Sequence, residues 1–192
     1  MTARTHDVAA ITALGLAVLV WPVGDITLST ALLAVLANQL GGIAPDIDQP
    51  TAPFWRNLPV GKLFGKTIDR LLGGHRFLSH SISGLVLFGL AAHWLLIFLQ
   101  PIMPHVSISL VWRAFMIGMG SHLVMDTLTK EGVPWLLPIP FKFGLPPLKA
   151  FRVTTGKAVE KGIFVLLVGL DIWLCSVHYN SLVTFLQQHL AR

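Results

Sequence analysis

Hydrophobic side chains make up 54% of the 192 residues and charged ones only 12%, against roughly 25% charged in soluble domains. A water-soluble fold of this length cannot hide so much apolar surface, so the excess faces lipid and the soluble enzyme classes are excluded. The net charge of +5 suits an anionic membrane surface better than nucleic acid, since the basic residues form no nucleic-acid-binding motif, and the single cysteine, Cys175, excludes a disulfide framework and a thiolate metal cluster.

In chain order, Arg4 and His6 precede an apolar run at about 8–23 that reads as an uncleaved first transmembrane helix, short for a span of roughly 20 residues. Pro22-Val23-Gly24-Asp25 turns the chain into a second span at about 26–43. Asp46 and Asp48 follow between Pro45 and Pro50, in extended or turn backbone where residues two apart point the same way. Over 58–72, Lys62, Lys66 and Arg70 recur opposite Val60, Phe64, Ile68, Leu71 and Leu72. That is the pattern of a helix lying on anionic headgroups, or of one packed on another loop. His75, Arg76 and His80 lead into a third span at about 81–100. Pro101 and Pro104 separate it from a fourth at about 106–126, which ends in His122 and Asp126. The stretch 133–153 is too broken by proline and glycine to span, and its aromatic residues suit an interfacial loop. Glu160 precedes a fifth span at about 162–184. The fold class expected is an all-α integral membrane protein, one membrane-embedded domain over 1–192 with about five spans and interfacial cytoplasmic loops.

Twelve of the 14 lysines and arginines lie on one side of this topology, in the N-terminal tail and the loops after spans two and four. The positive-inside rule makes that side cytoplasmic, with the N-terminus inside and the C-terminus periplasmic or extracellular. His6, Asp46, Asp48, His75, His80, His122, Asp126 and Glu160 all fall at this same end of their helices. The topology rests on lysine and arginine alone, so their convergence is an independent observation. A lone His-x-x-x-Asp on a helix is commonplace, and an isolated Asp pair is more often a solvated turn. Eight such residues at one depth are harder to explain that way, because the opposite ends offer only Asp25, His105, His178 and His189. His122 and Asp126, four apart, share a helix face and can grip one ion. Imidazole and carboxylate without thiolate suit zinc, with manganese possible.

The motifs Thr5-His6, Pro45-Asp46-Ile47-Asp48-Gln49-Pro50, His75-Arg76-Phe77-Leu78-Ser79-His80-Ser81 and Ser121-His122-Leu123-Val124-Met125-Asp126-Thr127, then Thr155-Gly156 ahead of Glu160, resemble those of the YdjM-like family. These are bacterial inner-membrane proteins described as membrane-bound metal-dependent hydrolases, with Thr more common at position 79. The resemblance implies inner-membrane location and metal-dependent hydrolysis, and names no substrate. The order His, Asp, His, His-x-x-x-Asp, Glu also looks like that of zinc-dependent phospholipase C, an analogy at the level of fold only.

The expectation is therefore a hydrolase acting on a phosphoester or lipid-like substrate through a metal-activated water. Asp48 or Glu160 would be the general base and Arg76 the phosphate clamp, with anionic headgroups drawn to Lys142, Lys149 and Arg152. Two alternatives stand beside it. One is a non-catalytic scaffold stapled by metal. The other is a transporter using Asp171 in span five and His93 in span three, unless Asp171 simply pairs with Arg113 of span four.

Overall fold

The computed structural model describes residues 1–21, 23–73, 76–139 and 141–190. In lipid every backbone N–H and C=O must find its partner within its own segment, and the apolar runs accordingly fold as helices. They are α1 (Ala3–Val20), α2 (Leu28–Ile43), α3 (Pro53–Arg56), α4 (Gly61–Leu71), α5 (Ile82–Leu99), α6 (Ile108–Thr127), α7 (Ala158–Val177) and α8 (Tyr179–Leu190). α1, α2, α5 and α6 are each long and apolar enough to cross a membrane, and α7 with α8, bent by 66° to each other, adds a fifth if the pair counts as one span. The expected all-α membrane fold with four to five spans is what forms.

Two boundaries differ from expectation. α1 begins at Ala3, so His6 lies inside its first turns rather than ahead of the span. The fifth span is not continuous over 162–184: at His178 the backbone leaves helical geometry (φ −100°, ψ 14°), where His178, Asn180 and Ser181 interrupt the apolar run. Of the predicted turn at Pro22–Asp25, Pro22 lies outside the described residues.

α6 is the centre of the bundle, with α1, α2 and α5 packed on it and α7 against α1. Small residues set the α2–α6 crossing. A Cβ on Gly118 would stand 2.0 Å from the Asn38 carbonyl oxygen, and one on Gly41 would stand 2.1 Å from that of Phe115. Asn38, fully buried, donates from Nδ2 to the Ala114 carbonyl (3.1 Å) and ties the same crossing. Gly118→Val is expected to force these backbones apart at a cost of about 1–3 kcal/mol or more. It should lower the thermal midpoint in detergent by several degrees, a shift readable by intrinsic fluorescence.

At the basic end, α2 runs into a 3₁₀ turn, Ala44–Asp48, and a short loop leads through α3 to α4. Gly61 and Gly65 form the buried side of α4, against Trp55 and Pro50, and the Trp55 indole donates to the Ile47 carbonyl (2.9 Å). Lys62, Lys66 and Arg70 are left exposed, and so are Leu63, Phe64 and Leu71. The helix is thus fastened by its own loop while its apolar and basic residues both face outward. In the 133–153 loop Leu136, Ile139, Phe141, Leu145, Leu148 and Phe151 are likewise exposed. Arg152 closes that loop by donating to the Pro146 and Pro147 carbonyls (2.8 and 3.0 Å).

Candidate metal centre

Four segments bring donor atoms together at one end of the bundle, in two triads that share His122. α1 brings His6, the 3₁₀ turn brings Asp46, the chain before α5 brings His80, and the last turns of α6 bring His122 and Asp126. His6 Nε2 stands 3.2 Å from Asp126 Oδ1, and His80 Nε2 is 3.6 Å from Asp126 Oδ2 and 3.9 Å from Asp46 Oδ1. His122 Nε2 is 3.7 Å from Asp46 Oδ1 and 3.9 Å from Asp126 Oδ2. Tetrahedral ligands on bonds of ~2.0–2.1 Å are roughly 3.3 Å apart, so a small contraction would fit this shell to a zinc-sized ion.

The imidazoles are oriented from behind. His122 Nδ1 contacts the Gly42 carbonyl (2.6 Å), a bond that requires the proton on Nδ1 and leaves the Nε2 lone pair facing the carboxylates. That Nε2 is buried and has no hydrogen-bond partner among the described residues, an arrangement costly for a polar atom unless a ligand completes it. The His6 ring stacks on His122 at 3.7 Å, with 8° between planes. For His80 the backing groups are Asp48, 3.4 Å from Nδ1, and the Ser79 hydroxyl, 2.9 Å from Nδ1. A carboxylate behind a histidine in this way fixes its tautomer and raises its basicity. Burial works to lower the His80 pKa, but hydrogen bonds to Asp126 and Asp48 and the charge of Asp46 outweigh it, so His80 stands above the ordinary 6.5.

Other sequence candidates fall around this cluster rather than in it. Asp48, fully buried, accepts from the Arg76 backbone N–H (3.0 Å) and the Ser79 hydroxyl, and among the described residues it belongs to neither donor triad. Glu160 lies in the first turn of α7 and accepts from the Thr2 and Gly156 backbone N–H groups (both 2.5 Å) and the Thr5 hydroxyl (2.8 Å). It joins α7 to the start of α1. Arg76 is buried, with left-handed backbone (φ 59°). Its guanidinium pairs with Asp126 Oδ2 (2.5 Å), donates to the Thr129 hydroxyl (3.1 Å) and approaches Glu131 (3.5 Å). The Met1 amino group also contacts Asp126 Oδ1. His75 lies outside the described residues. Among the described residues Asp171 and Arg113 form no ion pair, and His93 rests edge-on against Trp112 (centroids 6.0 Å). The Gly42 carbonyl was missed from the sequence, since a backbone acceptor leaves no side-chain signal.

The chain matches the family described as YdjM inner membrane protein over residues 1–182, a stretch that contains every donor named above. It is 31% identical over 148 residues to the inner membrane protein YdjM of Escherichia coli, covering 76% of this chain and 69% of that protein. It is 27% identical over 149 residues to the uncharacterized protein YvsG of Bacillus subtilis, covering 77% and 79%. No solved structure matches the chain. With nearly its whole length matched and His6, Asp46, His80, His122 and Asp126 of its motifs drawn to one end of a helical membrane bundle, the chain belongs to the YdjM inner membrane protein family.

Proposed function

We propose that the chain is a membrane-bound metal-dependent hydrolase, with one divalent ion, zinc or else manganese, held by His6, His80, His122, Asp46 and Asp126 at the cytoplasmic membrane face. The observation that carries this reading is His122 Nε2, buried with no hydrogen-bond partner among the described residues, backed by the Gly42 carbonyl and faced by two carboxylates. Two donor triads, His6–His122–Asp126 and Asp46–His80–His122, meet at His122. Its Nδ1 is spent on Gly42, so both triads draw on one lone pair and describe one coordination sphere. When bound, such an ion supplies Lewis acidity and brings the pKa of water towards ~7.

The chain's own residues then divide the work. Asp48 and Ser79 hold His80 in its tautomer, and Glu160 fastens the start of α1, where His6 lies. This replaces the base role expected of Asp48 and Glu160. Asp46 is 20% exposed while Asp126 is 1% exposed, so Asp46 is the carboxylate of the shell that a water-borne proton reaches. Arg76 screens Asp126 and is placed to bind an anionic oxygen once a cation shares that carboxylate. The exposed apolar and basic residues of α4 and of the 133–153 loop favour an amphiphilic phosphoester drawn from the membrane surface.

Elemental analysis of the detergent-purified protein tests the metal, and a panel of lipid phosphoesters with and without chelator tests the reaction. About one equivalent of zinc or manganese with chelator-sensitive hydrolysis is expected. One equivalent with no turnover of any substrate would favour the scaffold, and no metal after reconstitution would overturn both readings.

Imidazole must be deprotonated to bind metal. In the metal-free chain, the stabilisation from protonated His80 is fully present below about pH 6.5 and is lost as pH rises through its raised pKa. Metal binding runs the other way. The rise in thermal midpoint on adding zinc is therefore expected to grow steadily from about pH 6 to about pH 8, measured by differential scanning fluorimetry.

A further inference from the structure

At the end of the bundle opposite the metal centre, α1, α2 and α6 diverge and leave a cavity of about 720 Å³ beneath α8. Its volume is within the range of roughly 300–1,000 Å³ usual for small-ligand pockets. Leu14, Trp21, Val35, Trp112 and Phe185 are among its walls, and Arg113 is the one ionisable side chain among the described residues that line it. Arg113 lies within the second turn of α6, and no carboxylate comes within ion-pair distance of it among the described residues. Its side chain is exposed, and an arginine within a spanning helix is ordinarily paired, functional or extended towards the interface. The expected structural partner, Asp171, does not meet it.

The bent fifth span supplies the rest of the site. The 66° break after α7 brings Leu182 and Phe185 of α8 over the cavity, whereas a straight helix would carry them away from α6. An apolar chamber with a single guanidinium at its wall matches an amphiphile with one apolar tail and one anionic head. Guanidinium binds phosphate in two-pronged fashion, and lining tryptophans suit the boundary between tail and head.

We infer that this cavity holds an acyl chain of an anionic phospholipid, its phosphate seated on Arg113, in the leaflet opposite the metal centre. The site shares no residue with that centre and does not depend on its chemistry.

Native mass spectrometry of the detergent-purified chain tests this by titration with phosphatidylglycerol and phosphatidylcholine of identical acyl chains. The parent should retain phosphatidylglycerol at least several-fold more strongly, and Arg113→Leu should abolish most of that preference while Arg113→Lys keeps part of it. The thermal midpoint measured on the same variants should be unchanged, which separates loss of the lipid from loss of the fold. Equal retention of the two lipids by the parent would overturn the inference. So would a preference that survives Arg113→Leu, which would place it on the basic loops at the other end. Displacement of the lipid by millimolar inorganic phosphate would make Arg113 a site for the free anion and would also overturn it.

Discussion

An Asp126→Ala chain is expected to lose its metal and about 3–5 kcal/mol of stability together. Asp126 is buried, and its two oxygens meet His6, His80 and Arg76. Removing it leaves the Arg76 guanidinium buried, with Glu131 at 3.5 Å on the exposed rim as its nearest carboxylate. A buried charge stripped of its partner costs far more than the pair contributed, because its desolvation is no longer offset. The double variant Asp126→Ala/Arg76→Met separates the two roles. It should recover part of the thermal midpoint, since the Arg76 guanidinium is then no longer left alone and only the Met1 ammonium still lacks its carboxylate, yet still bind no metal. A single variant as stable as the parent would show that Asp126 does not neutralise Arg76. A single variant with parental metal content would remove Asp126 from the coordination shell.

His122→Ala is expected to lower metal affinity by well over ~100-fold, and Asp48→Asn by only ~10–100-fold, with hydrolysis falling alongside in each. The first change removes the donor that both triads share. The second keeps every donor and disturbs only what stands behind His80: an amide is a weaker acceptor for Nδ1–H, so the ring loses basicity and orientation. Competition against a chelator of known affinity measures both. Equal losses would mean that Asp48 itself binds the ion. A silent Asp48→Asn would mean that Ser79 alone orients His80.

Much of this arrangement was legible in the chain because the forces behind it act through composition and side. Lipid demands helices from apolar runs, and the lysines and arginines sort their ends, so Asp46, His80, His122 and Asp126 could be placed at one depth before any coordinate. What escaped was relational. Asp48 and Asp46 carry the same side chain two residues apart, and the 3₁₀ geometry of Ala44–Asp48 sends one to the donor shell and the other behind His80. An extended strand would have aimed both alike, which is why the sequence reading joined them. Glu160 looked like a ligand because it shares the right end of its helix, yet the N–H groups of Thr2 and Gly156 occupy its oxygens. The bend at His178 was hidden because hydropathy averaged over a span registers apolar content and not a single break.

The tie from Glu160 to Thr2 and Thr5 also bears on biogenesis. His6 leaves the ribosome long before Glu160, and the side chain that fastens its helix end belongs to a helix that follows all five proposed donors in the chain. A nascent chain halted before α7 carries all five donors but lacks the clasp that steadies the first. On the proposed reading, tight metal capture would then be a late event, reserved for chains in which α7 has been inserted, and a half-made intermediate would have less hold on the ion.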